Sequence, residues 1–254
     1  MTVINHEFEV GDRAEVSITL PTADVTVVEG SGGIIRVEAE GTDKALEQLE
    51  IFQAGDVVTV RTRDDGRKWG RRGITMRLIV PAGVAFAART ASGDFRILVA
   101  VSDVDFTAAS GDLRLASFSG RARIKTASGD LTIGEAVGGL QVGTASGDVR
   151  VDAFDGDAQV STASGDAAFG TASGSVSIKT ASGDVTIRRF SGVSFDGATM
   201  SGDLDIGLVP GMSIDADFQT LSGSFRNLAP AGTGKRSINA SMKIKTLSGD
   251  IVLR

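Results

Sequence analysis

The chain has 254 residues; 41% of them are hydrophobic, 5% are aromatic and 33 are glycine. This composition suits a long, thin apolar core better than a broad globular one. The net charge of −6 disfavours nucleic-acid binding, and the absence of cysteine excludes disulfides and thiolate chemistry.

In the first 89 residues, segments of alternating apolar and polar residues are joined by links of irregular length. This pattern predicts irregular N-terminal coils and a cap. Strands are predicted at residues 14–20, 24–28, 34–39, 57–62 and 74–80. The only helix signal lies at 42–49, where Thr42 is a candidate N-cap. We expect this short helix to cover an open strand edge or one end of the fold.

The N-terminus carries no basic region followed by an apolar core, so no signal peptide is predicted. The longest apolar run, residues 78–88, is broken by Pro81 and Gly83 and is shorter than the roughly 20 residues of a spanning helix. The sequence therefore predicts no transmembrane segment and a cytoplasmic location. The only histidine, His6, is expected at a solvated strand edge rather than as a catalytic base.

Residues 61–73 contain six basic residues around the only tryptophan, in an otherwise acidic chain. They supply a candidate interaction patch, formed by Arg67, Lys68, Trp69, Arg71 and Arg72. An unknown protein partner or an anionic membrane surface would suit it, because both offer negative charge. The alternative is a solvated hairpin loop, since Asp64, Asp65 and Gly66 form a turn signal at its centre.

An internal repeat organises the rest of the chain. Six Ser-Gly-Asp turns recur at equal intervals, starting at Ser92, Ser110, Ser128, Ser146, Ser164 and Ser182. A second glycine recurs nine residues later, midway to the next turn, at Gly120, Gly138, Gly156, Gly174 and Gly192. Each half-interval, a nine-residue unit, is therefore predicted to be one turn and one strand.

The second, sixth and eighth residues of each unit are small or apolar, and they are expected to face one way. Seven units give this predicted core: Ala127, Leu131, Ile133, Ala136, Leu140, Val142, Ala145, Val149, Val151, Phe154, Ala158, Val160, Ala163, Ala167, Phe169, Ala172, Val176, Ile178, Ala181, Val185 and Ile187. Two units that close into one coil let two apolar faces cover each other. The pattern thus predicts an all-β, single-chain β-solenoid with about 18 residues per coil.

We predict one domain over residues 1–254, with regular coils at 90–197 and looser coils at 198–254. The later turns start at Ser201, Ser222 and Ser248, so the interval lengthens with each of them. The extra residues predict inserted loops at Pro210-Gly211 and at 229–234. The final strand unit, 247–253, is expected in the same phase as the others.

The aspartates of the turns form a predicted ladder: Asp94, Asp112, Asp130, Asp148, Asp166, Asp184 and Asp203. Stacked about 4.8 Å apart, neighbouring carboxylates would repel by roughly 1 kcal/mol in water. The favoured interpretation is structural turn chemistry, in which Gly93, Gly111, Gly129, Gly147, Gly165 and Gly183 adopt the left-handed conformation and serine and aspartate accept backbone N–H bonds.

Three other interpretations stay open. A calcium-stabilised β-roll has an aspartate in every nine-residue repeat, but here the clear aspartate occurs only in every second unit, and calcium needs six to eight oxygens. The threonine and serine of each Thr-Ala-Ser segment, such as Thr144 and Ser146, form rows along the repeats that could be an ice-binding face. A β-helix polysaccharide-active enzyme would need paired carboxylates across a cleft. The turn serines have no histidine partner, so no catalytic residue, cofactor or metal ligand is predicted.

The T-A-S-G-D units, preceded by Leu78-Ile79-Val80-Pro81 and followed by T-L-S-G-D-I-V-L at 246–253, resemble the bacterial putative-adhesin or toast-rack family of β-strand-repeat proteins. The resemblance covers essentially the whole chain. It implies a right-handed single-chain β-solenoid, with some members linked to envelope-stress signalling, and no catalytic residues. We therefore predict a non-enzymatic binding or scaffold module associated with envelope or membrane-stress processes, and self-association through solenoid ends.

Overall fold

The computed structural model describes residues 1–63, 73–229 and 238–254, which form strands almost throughout. The chain divides into two compact units, residues 1–130 and 131–254. The first unit contains β1 Thr2–Glu9, β2 Glu15–Glu29, β3 Ile34–Gly41, α1 Asp43–Leu46, β4 Leu49–Ala54, β5 Val57–Thr62, β6 Ile74–Val80, β7 Ala85–Ser92, β8 Phe95–Val101, β9 Val104–Ala108, β10 Leu113–Phe118 and β11 Arg121–Ser128.

The second unit contains the long strands of the repeat and the C-terminal strands. They are β12 Leu131–Ser146, β13 Val149–Ser164, β14 Ala167–Ser182, β15 Val185–Phe190, β16 Ser194–Ser201, β17 Leu204–Leu208, β18 Met212–Ser222, β19 Phe225–Asn227, β20 Ile238–Ser248 and β21 Ile251–Leu253. An all-β chain with a short helix near its N-terminal end is confirmed. The single-domain prediction and its internal boundaries stay predictions.

In the first unit, the long strand β2 joins the irregular strands to the repeat. It pairs in parallel with β5 and β7 through its first half and with β6 and β8 through its second half. Strands β7 to β11 then pair in parallel, β7 with β9, β8 with β10 and β9 with β11. Residues lie beside their equivalents in the next repeat, as Phe95 does with Leu113, until the register of β8 and β10 shifts by one residue after Leu115. Antiparallel pairs finish the unit: β1 with β3, β3 with β6, and β4 with β5.

The predicted strands 14–20 and 24–28 are one continuous strand, β2, so Pro21 does not end a strand as its position suggested. Pro21 lies between Thr19, the last residue paired with β5, and Ala23, the first paired with β6. The helix is shorter than predicted, although Thr42 is its N-cap and accepts a hydrogen bond from the Ala45 N–H at 3.4 Å. Strands β1 and β4 were not predicted.

In the second unit, β12, β13 and β14 lie side by side in parallel, and their register follows the repeat interval without a shift. Leu140, Ala158 and Val176 are one row of this alignment, and all three are buried. Sixteen-residue strands run through the midway glycines without interruption, and Gly138, Gly156 and Gly174 have positive φ values there. These three midway glycines therefore bend a strand rather than separate two strands, whereas Gly120 lies between β10 and β11 and Gly192 lies between β15 and β16.

The C-terminal repeats are not stacked in sequence order. Strand β20 pairs with β16 on one side and β18 on the other, and β21 lies likewise between β17 and β19. Ser248 is in register with both Ser201 and Ser222, so its predicted phase is confirmed. The predicted turn at Pro210-Gly211 connects β17 to β18. The predicted loop at 229–234 lies, except for Ala229, outside the described residues.

The core prediction is correct for the sixth and eighth residues of the units but wrong for four alanines. Ala127, Ala145, Ala163 and Ala181 are exposed. The threonine before each points inward, because the alternation set by residues such as Leu140 and Val142 continues to Thr144 before the turn resets it. Thr144, Thr162 and Thr180 are 6–9% exposed, so these rows do not form an exposed ice-binding face.

Candidate functional site

The aspartate ladder is a chain of hydrogen bonds between neighbouring repeats. In the first unit, Asp94 Oδ1 accepts from the Asp112 N–H at 3.1 Å, and Asp112 Oδ1 accepts from the Asp130 N–H at 2.9 Å. In the second unit, the same bond joins Asp148 to Asp166 and Asp166 to Asp184, at 2.9 and 2.8 Å. Each ladder carboxylate therefore accepts a backbone N–H, as the structural interpretation expects, but from the next repeat rather than from its own turn.

The ladder also has two members beyond the seven predicted, Asp24 and Asp250. Asp24, in β2, accepts from the Asp94 N–H at 3.0 Å without a Ser-Gly before it. In the second unit, Asp203 accepts from Asp250, and Asp250 accepts from Ser224, both at 2.8 Å. Ser224 lies in the only Ser-Gly-Ser turn that is in register with the aspartates, and it belongs to the edge repeat. The replacement of aspartate by Ser224 in this turn is the sequence signal that could have located the end of the ladder.

Hydrogen bonding holds the pKa of the Asp250 carboxyl below its usual range. The largest cause is the Ser224 backbone N–H, followed by the Ser224 hydroxyl, which lies close by without a well-formed hydrogen bond. Desolvation acts in the opposite direction, and Arg226, 3.4 Å away, adds a smaller lowering. Charge on Asp250 thus favours the folded state.

We expect Asp250→Asn to remove a pH-dependent part of the stability. A lowered folded pKa stabilises the protein above the unfolded carboxyl pKa, and this contribution disappears as pH falls through the folded value. The variant should melt below the wild type at pH 7, and the difference should shrink towards pH 3. Asp215→Asn, at an exposed position on β18, is the control. A difference that is constant over this pH range would contradict the assignment.

A surface pocket of about 530 Å³ lies in the first unit, between β1 and the hairpin of β4 and β5. Two arginines and one glutamate dominate its charge. Arg61 Nε is 2.9 Å from Glu50 Oε2, and Arg63 Nε is 3.7 Å from Glu50 Oε1. The Arg61 guanidinium also lies 5.1 Å from the centre of the Phe52 ring, a cation–π contact. Ile4, His6, Leu49 and Ile51 complete the lining.

The structure places His6 at an exposed position of β1, which pairs only with β3 among the described residues. Its ring stacks on Phe8 at 6.2 Å. The expectation of a strand-edge histidine is thus confirmed, but its place in the pocket was not foreseen. The predicted patch of Arg67, Lys68, Trp69, Arg71 and Arg72 lies outside the described residues. In sequence it follows Arg63 closely.

A smaller pocket of about 310 Å³ lies in the second unit beside the ladder. Its lining includes Ala168, Gly170 and the ladder residues Asp148, Asp166 and Asp184. The ladder carboxylates form a single row on adjacent repeats, whereas glycoside cleavage needs two carboxylates on opposite sides of the substrate bond. Asp152, the other carboxylate of the lining, lies four residues after Asp148, roughly 13 Å along an extended chain. That separation is larger than the roughly 5–9.5 Å of a catalytic pair. The arrangement does not resemble a catalytic pair.

Two features absent from the described residues are a metal-binding cluster and a membrane-spanning helix. Within residues 1–63, 73–229 and 238–254, no three acidic, histidine or cysteine side chains are grouped so that they could hold a metal ion. Across the same residues, no helix has the length and apolar character needed to cross a membrane.

Known proteins resemble the chain at the level of family and fold. Toastrack DUF4097 matches residues 14–254. The crystal structure of a putative adhesin from Bacteroides fragilis is similar over 100% of this chain and 97% of its own, with 14% identity and a TM-score of 0.52. A putative lipid binding protein from Parabacteroides distasonis aligns over 99% and 96% of the two chains, with 13% identity and a TM-score of 0.47. No curated protein matches significantly.

Proposed function

The chain belongs to the Toastrack DUF4097 family, and on that premise we propose that it is a non-enzymatic binding module for anionic phospholipid surfaces. The observation that carries the proposal is the pocket of the first unit. There Arg61 and Arg63 share one carboxylate, Glu50, which leaves an excess of positive charge beside the half-exposed Phe52. A phosphate head group with an adjoining apolar chain matches this combination of groups.

The pocket has both parts that a lipid site needs. Guanidinium groups recognise phosphate through planar, forked hydrogen-bond donors. Ile4, Ile51 and Phe52 supply apolar surface at the same opening. The pocket is bordered by β1 and β4, each paired on one side only among the described residues, so it opens at the margin of the first unit. A flat membrane can approach such a margin more easily than a groove between central strands.

The sequence that follows Arg63 adds further support. Arg67, Lys68, Arg71 and Arg72 contribute four positive charges within ten residues of it, and Trp69 is of the type enriched at membrane interfaces. Each basic residue near an anionic leaflet contributes about 1 kcal/mol to binding. Together they would convert a weak head-group contact into stable attachment. We place the protein, on this proposal, in contact with the bacterial envelope.

We also propose that the repeats of each unit wind as a right-handed β-solenoid with about 18 residues per coil. The parallel pairing of each residue with its equivalent in the next repeat supports it, as between Leu131 and Val149. The calcium alternative is less favoured, since each repeat offers one ladder carboxylate and its Oδ1 already accepts an N–H. The enzyme alternative is less favoured because its carboxylates form a single row.

Sedimentation with vesicles of phosphatidylcholine and phosphatidylglycerol tests the membrane proposal. We expect binding that weakens with salt, because surface electrostatics are screened. Changing Arg67, Lys68, Arg71 and Arg72 to serine should weaken it at least about 100-fold, since each charge contributes about 1 kcal/mol. Arg61→Ser with Arg63→Ser should weaken it too, with Trp69→Ser separating the aromatic contribution from charge.

A matched control distinguishes a local site from the effect of net charge. Changing Arg77, Arg114, Lys179 and Arg189 to serine removes the same four charges from exposed positions elsewhere. Equal losses in the two four-residue variants would show that only net charge matters. Failure of the wild type to bind anionic vesicles would contradict the membrane surface and favour an acidic protein partner for the same residues.

A further inference from the structure

The edge repeat of the second unit is formed by β18 and β19, and the described residues leave its apolar interior uncovered. Among the described residues of this unit, β18 pairs only with β20 and β19 only with β21. Phe218 and Phe225 stack at 4.5 Å, and Phe225 is 43% exposed. Their in-register neighbours Ile244 and Ile251 are fully buried. One side of this repeat therefore faces solvent with groups that belong in a core.

A stripe of exposed apolar side chains continues from this edge. Met200, Leu247 and Leu221 are adjacent in register on the last three stacked repeats, and they are 59%, 49% and 80% exposed. Earlier repeats have exposed alanines at this position, such as Ala163 and Ala181. At this position of the repeat, large aliphatic residues thus occur only in the repeats nearest the edge. Exposed apolar patches of this kind mark interaction sites.

The chemistry of the edge favours a protein strand over a lipid. An edge strand presents unpaired N–H and C=O groups, which are costly in hydrocarbon but are satisfied by another strand. Asp215 and Asp217 are exposed on β18 and would be repelled by anionic lipid. A further parallel repeat is also disfavoured. Ser224 replaces the ladder aspartate here, so this repeat offers no carboxylate to the N–H of a following one.

We propose that a second copy of this chain covers the edge, with β18 of the two copies paired antiparallel about a two-fold axis at Phe218. In this register Asp217 lies opposite Gln219 of the second copy. Lys243 is beside Asp217 and Lys245 is beside Gln219 in each copy. Each Asp217 is thus flanked by its own Lys243 and, roughly 10 Å away across Gln219, by Lys245 of the other copy.

Charge selects this register over its neighbour. An axis at Ala216 would set Asp215 opposite Asp217 of the second copy, and like charges directly opposite are destabilising. The axis at Phe218 instead places Ala216 opposite Thr220 and brings the phenylalanine stacks of the two copies together. The shared patch is self-complementary, as a two-fold interface requires. The pairing is independent of the lipid proposal, which concerns the first unit.

Size-exclusion chromatography with light scattering tests the pairing. We expect the wild type to have twice the mass of one chain at tens of micromolar, and a variant with Ala216→Lys and Leu221→Lys to be a monomer. Inward and edge lysines are known to block strand pairing. The control, Val137→Lys with Ala145→Lys, places the same changes at exposed positions on β12 and should stay a dimer. Circular dichroism verifies that each variant is folded.

Cysteine cross-linking tests the register itself, because the chain contains no cysteine. The double variant Asp217→Cys with Gln219→Cys should form intermolecular disulfides on mild oxidation, since opposite residues meet the distance requirement. Each single variant should not, because its two thiols lie diagonally. A monomeric wild type without cross-links, or a dimer that survives the two lysines, would overturn the proposal. So would neutral-vesicle binding that Leu221→Lys abolishes.

Discussion

Gly165→Ala is expected to lower the free energy of unfolding by at least about 3 kcal/mol, a large share of the roughly 5–15 kcal/mol typical of a domain. Gly165 has a φ of 135°, a conformation that L side chains rarely adopt. An added Cβ would also lie 2.3 Å from the Gly147 carbonyl oxygen of the neighbouring repeat. Both costs fall on backbone that the parallel ladder holds in place, so relaxation would disrupt several hydrogen bonds.

Gly143→Ala provides the matched control in the same unit. Gly143 is not among the positive-φ residues, and an added Cβ would meet no heavy atom within 4 Å. Replacing a strand glycine of this kind stabilises by roughly 0.5–1 kcal/mol, because the unfolded chain loses freedom. Urea unfolding followed by circular dichroism compares the two variants. If both variants changed the free energy of unfolding equally, the close contact between turn glycines of neighbouring repeats would not be required for stability.

The regular repeats could be predicted from the sequence because each one encodes its own contacts. A motif that recurs at a constant interval sets the same side chains beside each other in every pair, as Leu140, Ala158 and Val176 show. The exposed alanines could not be placed by counting from the turn. Their phase is set by the preceding strand, which continues inward to the threonine.

The order of the C-terminal repeats could not be predicted for a related reason. Ser201, Ser222 and Ser248 begin equivalent turns. Either Ser222 or Ser248 could therefore lie next to Ser201 in the same register. Only Ser224, which breaks the aspartate pattern, distinguishes the edge repeat. The pocket was missed because it depends on β1 and β4. Strand β1 pairs antiparallel with β3, and β4 pairs antiparallel with β5, as Phe52 does with Thr59. Neither pair belongs to the repeat, so the repeat interval does not predict them.

Phe190→Ala is expected to lower the free energy of unfolding by about 3–5 kcal/mol, the range for a fully buried phenylalanine. Phe190 is completely buried, and its ring meets Phe195 edge-on at 6.0 Å. Its in-register neighbour is Ala172, which lies beside Phe154 on the other side. Large and small side chains thus alternate along this row, and Ala172 is too small to fill the space that Phe190 would leave.

Phe225→Ala removes the same ring from the same unit at the uncovered edge, and it should cost less than about 1 kcal/mol because Phe225 is 43% exposed. Unfolding should be measured at submicromolar concentration, where the proposed dimer does not contribute. Similar losses for the two variants would mean that burial in the central rows adds little. A much larger loss of unfolding free energy for Phe190→Ala than for Phe225→Ala would show that the buried row of Phe154, Ala172 and Phe190 contributes much of the stability. In that row the small side chain of Ala172 fits between two large rings.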